Sequence, residues 1–375
     1  MAPIEKSPKY QKVFDALASE IESGRFKTGD RLPSEAELER TFGASRITVG
    51  RAVRDLQLAG LVERRAGSGS YVKARSVTDA LSFGLLIPDL GETEIFEPIC
   101  QGMMASPLAR QHALLWGSLP SAAASKEERA WQLCRQYIDR RVSGVFFAPL
   151  ELTPGKDAVN RRIAQALDDT GIPLVLLDRT VVPYPDRGVH DLVGIDNRRA
   201  GYRITEHLLH LGSRQIAFVA VQNAAATVEA REAGYREALY AWNSPINREF
   251  VHRLDPTELD SVRTLMASKP EAIVCANDWT AARLMRSILE LGYSIPADVR
   301  LVGIDDLDYA NLLPVPLTTL RQPTREIGAA AFAAMLDRVS RPETPVRDIL
   351  LQTQLVVRRS CGASVETPET ARRAQ

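Results

Sequence analysis

From residue 81 onward, short continuous apolar runs recur: LSFGLLIP, HALLWGSL, GVFFAP, PLVLLD, LVGID, QIAFVAV, AIVCAN and VRLVGID, most of them followed by an amphipathic helical stretch. Strands that read as unbroken apolar runs between helices belong to parallel sheets covered on both faces. So many β-α units exceed one six-stranded sheet, and the expected fold is α/β, with two doubly wound lobes. In open α/β sheets ligands sit beyond the carboxyl ends of the strands. Polar residues stand at those ends here: Asp89, Asp178, Arg179, Asp196, Asn197, Asn277, Asp278, Asp305 and Asp306, with Arg231 at the start of the helix after QIAFVAV. Carboxylates, amides and a guanidinium brought together would match the neighbouring hydroxyls of a sugar ring. The bland alternative is that Asp and Asn at these positions serve as helix N-caps.

The first 74 residues follow another pattern. Tyr10, Val13, Phe14, Leu17 and Ile21 fall on one helical face, and Gly24 follows as a stop. Ser34 and Glu37 form a capping-box pattern at the start of a short second helix that ends near Gly43. Ser45 is the N-cap of a third, whose Val49, Ala52, Val53 and Leu56 face inward while Arg46, Thr48, Arg51, Arg54 and Asp55 face out. LVERR and SYVKA around AGSG then read as a β-hairpin, which completes a winged helix-turn-helix. Gly50 inside the third helix costs roughly 0.5–1 kcal/mol relative to Ala, with close approach to DNA as one reason for it. Residues 1–75 hold 14 Lys/Arg against 10 Asp/Glu and the remainder 33 against 37, a modest basic bias toward the front that suits a polyanion partner.

The stretch GDRLPSEAELERTFGASRITVGRAVRDLQLAGLVERRAGSGSYV resembles the GntR family of bacterial regulators. The resemblance implies DNA contacts at Ser45, Arg46, Thr48 and Arg51, with Gly67 at the wing tip. It departs from the family at Ala36 and Gly50, where Arg is frequent, so an operator sequence does not carry over. A second resemblance, over about residues 82–358, is to the effector domain of the LacI/GalR regulators, whose fold is similar to type I periplasmic sugar-binding proteins. It is carried by LDRTVV, VGIDNRRAGYRITEHLLHLGSRQIAFVA, REAGYREAL, ANDWTAARLMRSILELGYSIPADVRLVGIDD and PLTTLRQPTREIGAAAFAAML. The family's ligand-contacting positions fall on Arg231, Asn277 and Asp305, with Asp196 and Phe96 as further candidates. Trp279 either stacks on a sugar face or belongs to the core.

The expected organisation is a DNA-binding domain at 1–74, a linker at 75–81, an effector domain at 82–361 and a disordered polar tail at 362–375. Within the effector domain, lobe 1 would take about 82–211 and 322–347, and lobe 2 about 212–321 and 348–361, with hinges near Gly212, Pro316 to Gln322 and Arg347. The resemblances imply a cytoplasmic homodimeric repressor. It would bind a palindromic double-stranded operator and be released by a mono- or disaccharide, a purine or other non-sugar effector and ligand-promoted binding being the alternatives. No cofactor or metal is expected. Cys100, Cys134, Cys275 and Cys361 make no C-x-x-C pair, and the histidines make no H-E-x-x-H. A phosphate loop and a G-x-S-x-G elbow are lacking, which disfavours an enzyme. Early charges leave no signal-peptide h-region, and the apolar runs are far shorter than the roughly 18 residues of a membrane span.

Overall fold

The computed structural model describes residues 9–22, 25–26, 29–58, 61–65, 68–72, 80–87, 94–117, 125–245 and 248–363. The chain divides into two compact units after Ala80. The expected linker at 75–81 and tail at 362–375 lie almost wholly outside the described residues, as do Gly24, Gly67 and Asp89.

The first unit holds α1 (Lys9–Glu22), α2 (Glu35–Phe42), α3 (Arg46–Leu58) and the hairpin of β1 (Val62–Arg65) and β2 (Gly69–Val72). Val13 and Leu17 of α1, Leu38 of α2 and Val49, Ala52, Val53 and Leu56 of α3 close on Val62 and Val72 of the hairpin in one small core. The capping box forms: Ser34 Oγ accepts from Glu37 N at 3.3 Å, and Ser34 N donates to Glu37 Oε2 at 2.7 Å. Gly43 ends α2 in the left-handed region at φ 56, which turns the chain directly into α3. β1 and β2 pair antiparallel from Val62↔Val72 to Arg65↔Gly69, and Arg31 bridges to Tyr71 on the other side of β2. A Cβ on Gly50 would meet no atom within 4 Å, so nothing within this chain requires glycine there. Gly50→Ala should therefore raise the stability of this unit by about 0.5–1 kcal/mol, read from its unfolding in denaturant.

The second unit contains two six-stranded sheets. Its elements are β3 (Ser82–Leu86), α4 (Phe96–Ala105), β4 (Ala113–Trp116), α5 (Lys126–Asp139), β5 (Gly144–Phe147), α6 (Lys156–Asp169), β6 (Leu174–Leu177), β7 (Asp191–Ile195), α7 (Asn197–His210), β8 (Ile216–Ala220) and α8 (Ala226–Ala241). They continue with β9 (Val251–Arg253), α9 (Leu259–Ala267), β10 (Ala272–Cys275), α10 (Asp278–Glu290), β11 (Arg300–Asp305), β12 (Thr318–Arg321), α11 (Thr324–Ser340), β13 (Asp348–Leu351) and β14 (Gln354–Val356). The first lobe has strand order β13-β7-β6-β5-β3-β4, all parallel, and the second has β14-β12-β11-β10-β8-β9, parallel except for β14. Each sheet carries helices on both faces. One hydrophobic cluster runs from under α4 and α11 in the first lobe to under α7 and α8 in the second.

The lobe boundaries differ from the sequence expectation at two crossings. The chain leaves the first lobe at Asp196, directly after β7, rather than near Gly212, because α7 packs on α8 in the second lobe. That packing is close: a Cβ on Gly201 would lie 1.9 Å from the carbonyl oxygen of Arg231, and one on Gly234 1.8 Å from that of Arg198. Only glycine lets the two helix backbones approach this far. The second crossing, at Gln322 and Pro323, falls at the edge of the expected span. The third lies at Gln352 and Thr353 rather than near Arg347, because β13 pairs with β7 and so still belongs to the first lobe. Lobe 1 is thus 82–195 plus 323–351, and lobe 2 is 197–322 plus 354–361. Strands β9, β12, β13 and β14 have no apolar run longer than three residues, and periodicity misses them. In β12 the buried Thr318 and Thr319 take the place of aliphatic residues because their hydroxyls find partners, Thr319 on Asp278 at 2.6 Å.

Candidate functional site

The carboxyl ends of the two sheets face each other across a cleft within the second unit. Arg231, in the second turn of α8 and 3% exposed, anchors its second-lobe wall. Its Nε donates to Asn197 Oδ1 at 2.8 Å, its Nη1 to the Ala276 carbonyl at 2.6 Å, and its Nη2 lies 3.6 Å from Asp305 Oδ1. Asp305 closes β11 with φ 136, a backbone region L residues rarely adopt, and accepts from Gln322 Nε2 at 2.7 Å. On the first-lobe wall Arg179 is 4% exposed and held by Glu151 at 2.7 Å and by Asp178 at 3.2 Å. A backbone bond from Leu152 N to Asn223 O at 2.8 Å ties the loops after β5 and β8 together, so the lobes touch at the cleft mouth.

Burial dominates the electrostatics of this cluster. It pushes Asp305 up to about 7; Arg231 opposes the shift, and repulsion from Asp278 and Asp178 adds to it. Burial likewise pushes Asp278 up to about 6, against hydrogen bonds from Thr319 and the Leu307 amide. A carboxyl held above its unfolded value of roughly 3.9 binds a proton in the native state that the unfolded chain releases. The stability Asp305 contributes is therefore complete below about pH 4 and lost as pH rises through about 7. Asp305→Asn should gain stability relative to the parent protein between pH 5 and pH 8. Urea unfolding at the two pH values measures the difference, and equal offsets at both would contradict it.

Two chambers open off this cluster. The smaller, about 450 Å³, lies between Glu94, Ile95, Glu151 and Leu152 of the first lobe and Asn277, Trp279, Thr280 and Arg283 of the second. The larger, about 880 Å³, borders the crossing segments at Gln322, Pro323, Gln352 and Gln354 and shares Asp305, Leu307 and Glu94 with the first. Asn277 caps α10, its Oδ1 accepting from Thr280 N at 2.9 Å. Trp279 is half-buried and lines the smaller chamber, with the Arg283 guanidinium 3.9 Å over its ring, so it belongs to the cleft wall rather than the core.

Three of the expected residues do not line the chambers: Arg231, which stands behind Ala276 and Asp305, and Asp196 and Phe96. Asp196 is exposed and caps α7, its carboxylate accepting from Arg199 N at 2.9 Å, because the chain turns into α7 at once after β7. Its neighbour Asn197 takes the inward place. Asp196→Ala should cost about 1 kcal/mol in thermal unfolding while leaving effector affinity unchanged. Phe96 is buried in the first-lobe core, with the Arg179 guanidinium 5.3 Å from its ring centroid. Glu94, Glu151 and Gln322 line the chambers although no motif of the sequence marks them as binding residues. Glu151 follows the GVFFAP run and could have been found by the strand-end rule, whereas Glu94 is placed only by the tertiary fold.

In the first unit the outer face of α3 is open. Arg46 is 83% exposed with a loose 3.9 Å pair to Glu35, which also holds Arg64 at 3.2 Å. Ser45 Oγ and Thr48 Oγ1 lie 2.9 Å apart, and Ser45 also caps the helix through Thr48 N. Arg51 stacks on the Tyr10 ring at 3.8 Å, with Asp55 at 4.0 Å. Beside Arg46 stands Ile47, 86% exposed, an apolar side chain at the second position of the helix that the charge pattern does not single out. Such a bare branched side chain suits contact with a thymine methyl in the major groove.

No group of three or more His, Cys, Asp or Glu able to hold a metal occurs among the described residues, and the four cysteines are buried and unpaired. No helix among them is long and apolar enough to cross a membrane. The model for bacterial regulatory proteins of the gntR family matches residues 9–72, and that for a periplasmic binding protein-like domain matches residues 205–361. The arabinose metabolism transcriptional repressor of Geobacillus stearothermophilus is 27% identical over 366 residues, 94% of this chain and 97% of the relative. The HTH-type transcriptional repressor PurR of Vibrio campbellii is 29% identical over 238 residues, 62% of this chain and 68% of the relative. Among solved structures, the transcriptional regulator CelR in complex with cellobiose has 26% identity and a TM-score of 0.63, covering 84% of this chain and 91% of its own.

Proposed function

We propose that this chain, which matches the gntR-family model over residues 9–72 and the periplasmic binding protein-like model over residues 205–361, is a sugar-responsive transcriptional repressor. α3 enters the major groove of operator DNA with Arg46, Ile47, Thr48 and Arg51 toward the bases and phosphates, Ser45 orients Thr48, and the hairpin follows the backbone as the wing. A homodimer places two such heads on the half-sites of a palindrome, in the cytoplasm. The effector sits in the cleft against Asn277, Trp279, Asp305 and the Arg231 network, and it loosens DNA by its differential affinity for two lobe orientations.

The observation that carries this is the buried Arg231–Asn197–Asp305–Gln322 network beside a lobe-spanning chamber about large enough for one or two sugar rings. The full-length resemblance to the arabinose repressor of Geobacillus stearothermophilus supports a sugar in particular. The test is release of the chain from DNA of its own upstream region by pentoses, hexoses and disaccharides. A purine is the second reading, favoured by the comparable identity to PurR. Thermal unfolding separates them: a ligand at a hundred times its dissociation constant adds about 2.7 kcal/mol. A shift with a purine and with no sugar would replace the sugar reading.

A further inference from the structure

Around the cleft the two buried guanidinium groups are engaged by protein oxygens, and carboxylates outnumber guanidinium groups in the lining of both chambers. Every guanidinium nitrogen of Arg231 faces a protein oxygen, and Arg179 is held between Glu151 and Asp178. The buried side-chain oxygens left without a partner include Asp178 Oδ1 and Gln322 Oε1, on residues 5% and 3% exposed. Gln322 lines the larger chamber, and Asp178 lies close enough to Asp305 to disfavour its ionisation. In the smaller chamber Glu94, Glu151 and Asp305 face a single guanidinium, that of Arg283, which is exposed and stacked on Trp279. In the larger, Arg321 is committed to Asp306 at 2.6 Å and Arg325 donates to Gln101 at 3.1 Å, while Glu94, Glu97, Asp308 and Glu326 add negative charge.

We infer that the effector carries no phosphate or carboxylate and binds by donating hydrogen bonds from hydroxyl or ammonium groups to this acceptor-lined cleft. The inference rests on the effector reading above and adds a charge class to it. A phosphate ester would bring its oxygens against a lining in which carboxylates outnumber guanidinium groups six to two in the larger chamber and three to one in the smaller, and burying an anion among like charges is disfavoured. Hydroxyl and ammonium donors would instead satisfy Gln322 Oε1 in the larger chamber, which otherwise stays unpaired at a cost.

Isothermal titration of the full chain with matched pairs tests this: arabinose and arabinose 5-phosphate, glucose and glucose 6-phosphate, glucosamine and glucosamine 6-phosphate, guanine and guanosine monophosphate. Binding is expected for an unphosphorylated member of a sugar pair, with its phosphate ester at least about a hundredfold weaker. A phosphorylated member that binds as tightly as its partner, or more tightly, overturns the charge class while leaving the sugar reading in place. Guanine binding with no sugar and no nucleotide overturns the sugar reading and supports the charge class. No heat with any of the eight overturns both.

Discussion

Arg231→Ala abolishes the effector response and destabilises the second unit by about 3–5 kcal/mol, the cost of leaving a buried charge without its partner. Asp305, 9% exposed, would then stand near Asp278 and Asp178 with only the Gln322 amide to receive it, and Asn197 Oδ1 and the Ala276 carbonyl would lose their donor. Because α8 is held against α7 through Gly201 and Gly234, the helices cannot close the gap by moving nearer. Urea unfolding of the parent and variant, followed by titration with the effector, measures both effects. Arg231→Lys keeps a charge but cannot reach Asn197, Ala276 and Asp305 together, so it should recover part of the stability and little of the response. An alanine variant within about 1 kcal/mol of the parent would show that the network is not a buried charge cluster. Operator binding by the folded fraction should be unchanged.

Arg46→Ala has the complementary outcome. It should weaken operator binding by about 1–3 kcal/mol per head, hence roughly two to four orders of magnitude for a dimer bound at two half-sites, with effector affinity untouched. The folded state loses little, since the pair to Glu35 is long and exposed. Fluorescence anisotropy on labelled operator across a salt series tells which contact is lost. If Arg46 meets a phosphate, the slope of log affinity against log salt falls by about one for each head, and if it reads a base the slope is kept while discrimination relaxes. Unchanged affinity at every salt concentration would remove Arg46 from the interface. A folded variant that lost both DNA and effector binding would argue against two separable modules.

Much of this is legible in the sequence. Ser34 and Glu37 cap α2 as their spacing predicts, and Val49, Ala52, Val53 and Leu56 form the inner face of α3. These are local facts: a cap needs partners three residues apart, and a helix face follows from a period of 3.6. The apolar runs likewise marked the central strands, because a strand buried on both faces has no polar position to spare. What failed did so for a shared reason. β12, β13 and β14 earn their places by pairing with strands distant in sequence, and Thr318 and Thr319 are buried only because Arg358, Ser360 and Asp278 arrive to bond them.

The cleft shows the same division. Strand-end position and resemblance brought forward Arg231, Asn277 and Asp305, yet favoured Asp196 over its neighbour Asn197, although Asp196 caps a helix in solvent and Asn197 holds Arg231 in the interior. Two neighbouring polar residues differ only in the direction they take once α7 turns away from β7, and that direction is fixed by the glycine contact between α7 and α8. The chain's own order of residues determined two modules, their helices, their central strands and the chemical kinds of group at the sheet edges, because each depends on neighbours a few positions apart. The tertiary structure alone decided where the chain crosses between lobes, which polar groups are buried together and which acceptors remain unpaired, because those depend on contacts between segments more than thirty residues apart, such as Arg231 with Asn197 and Ala276.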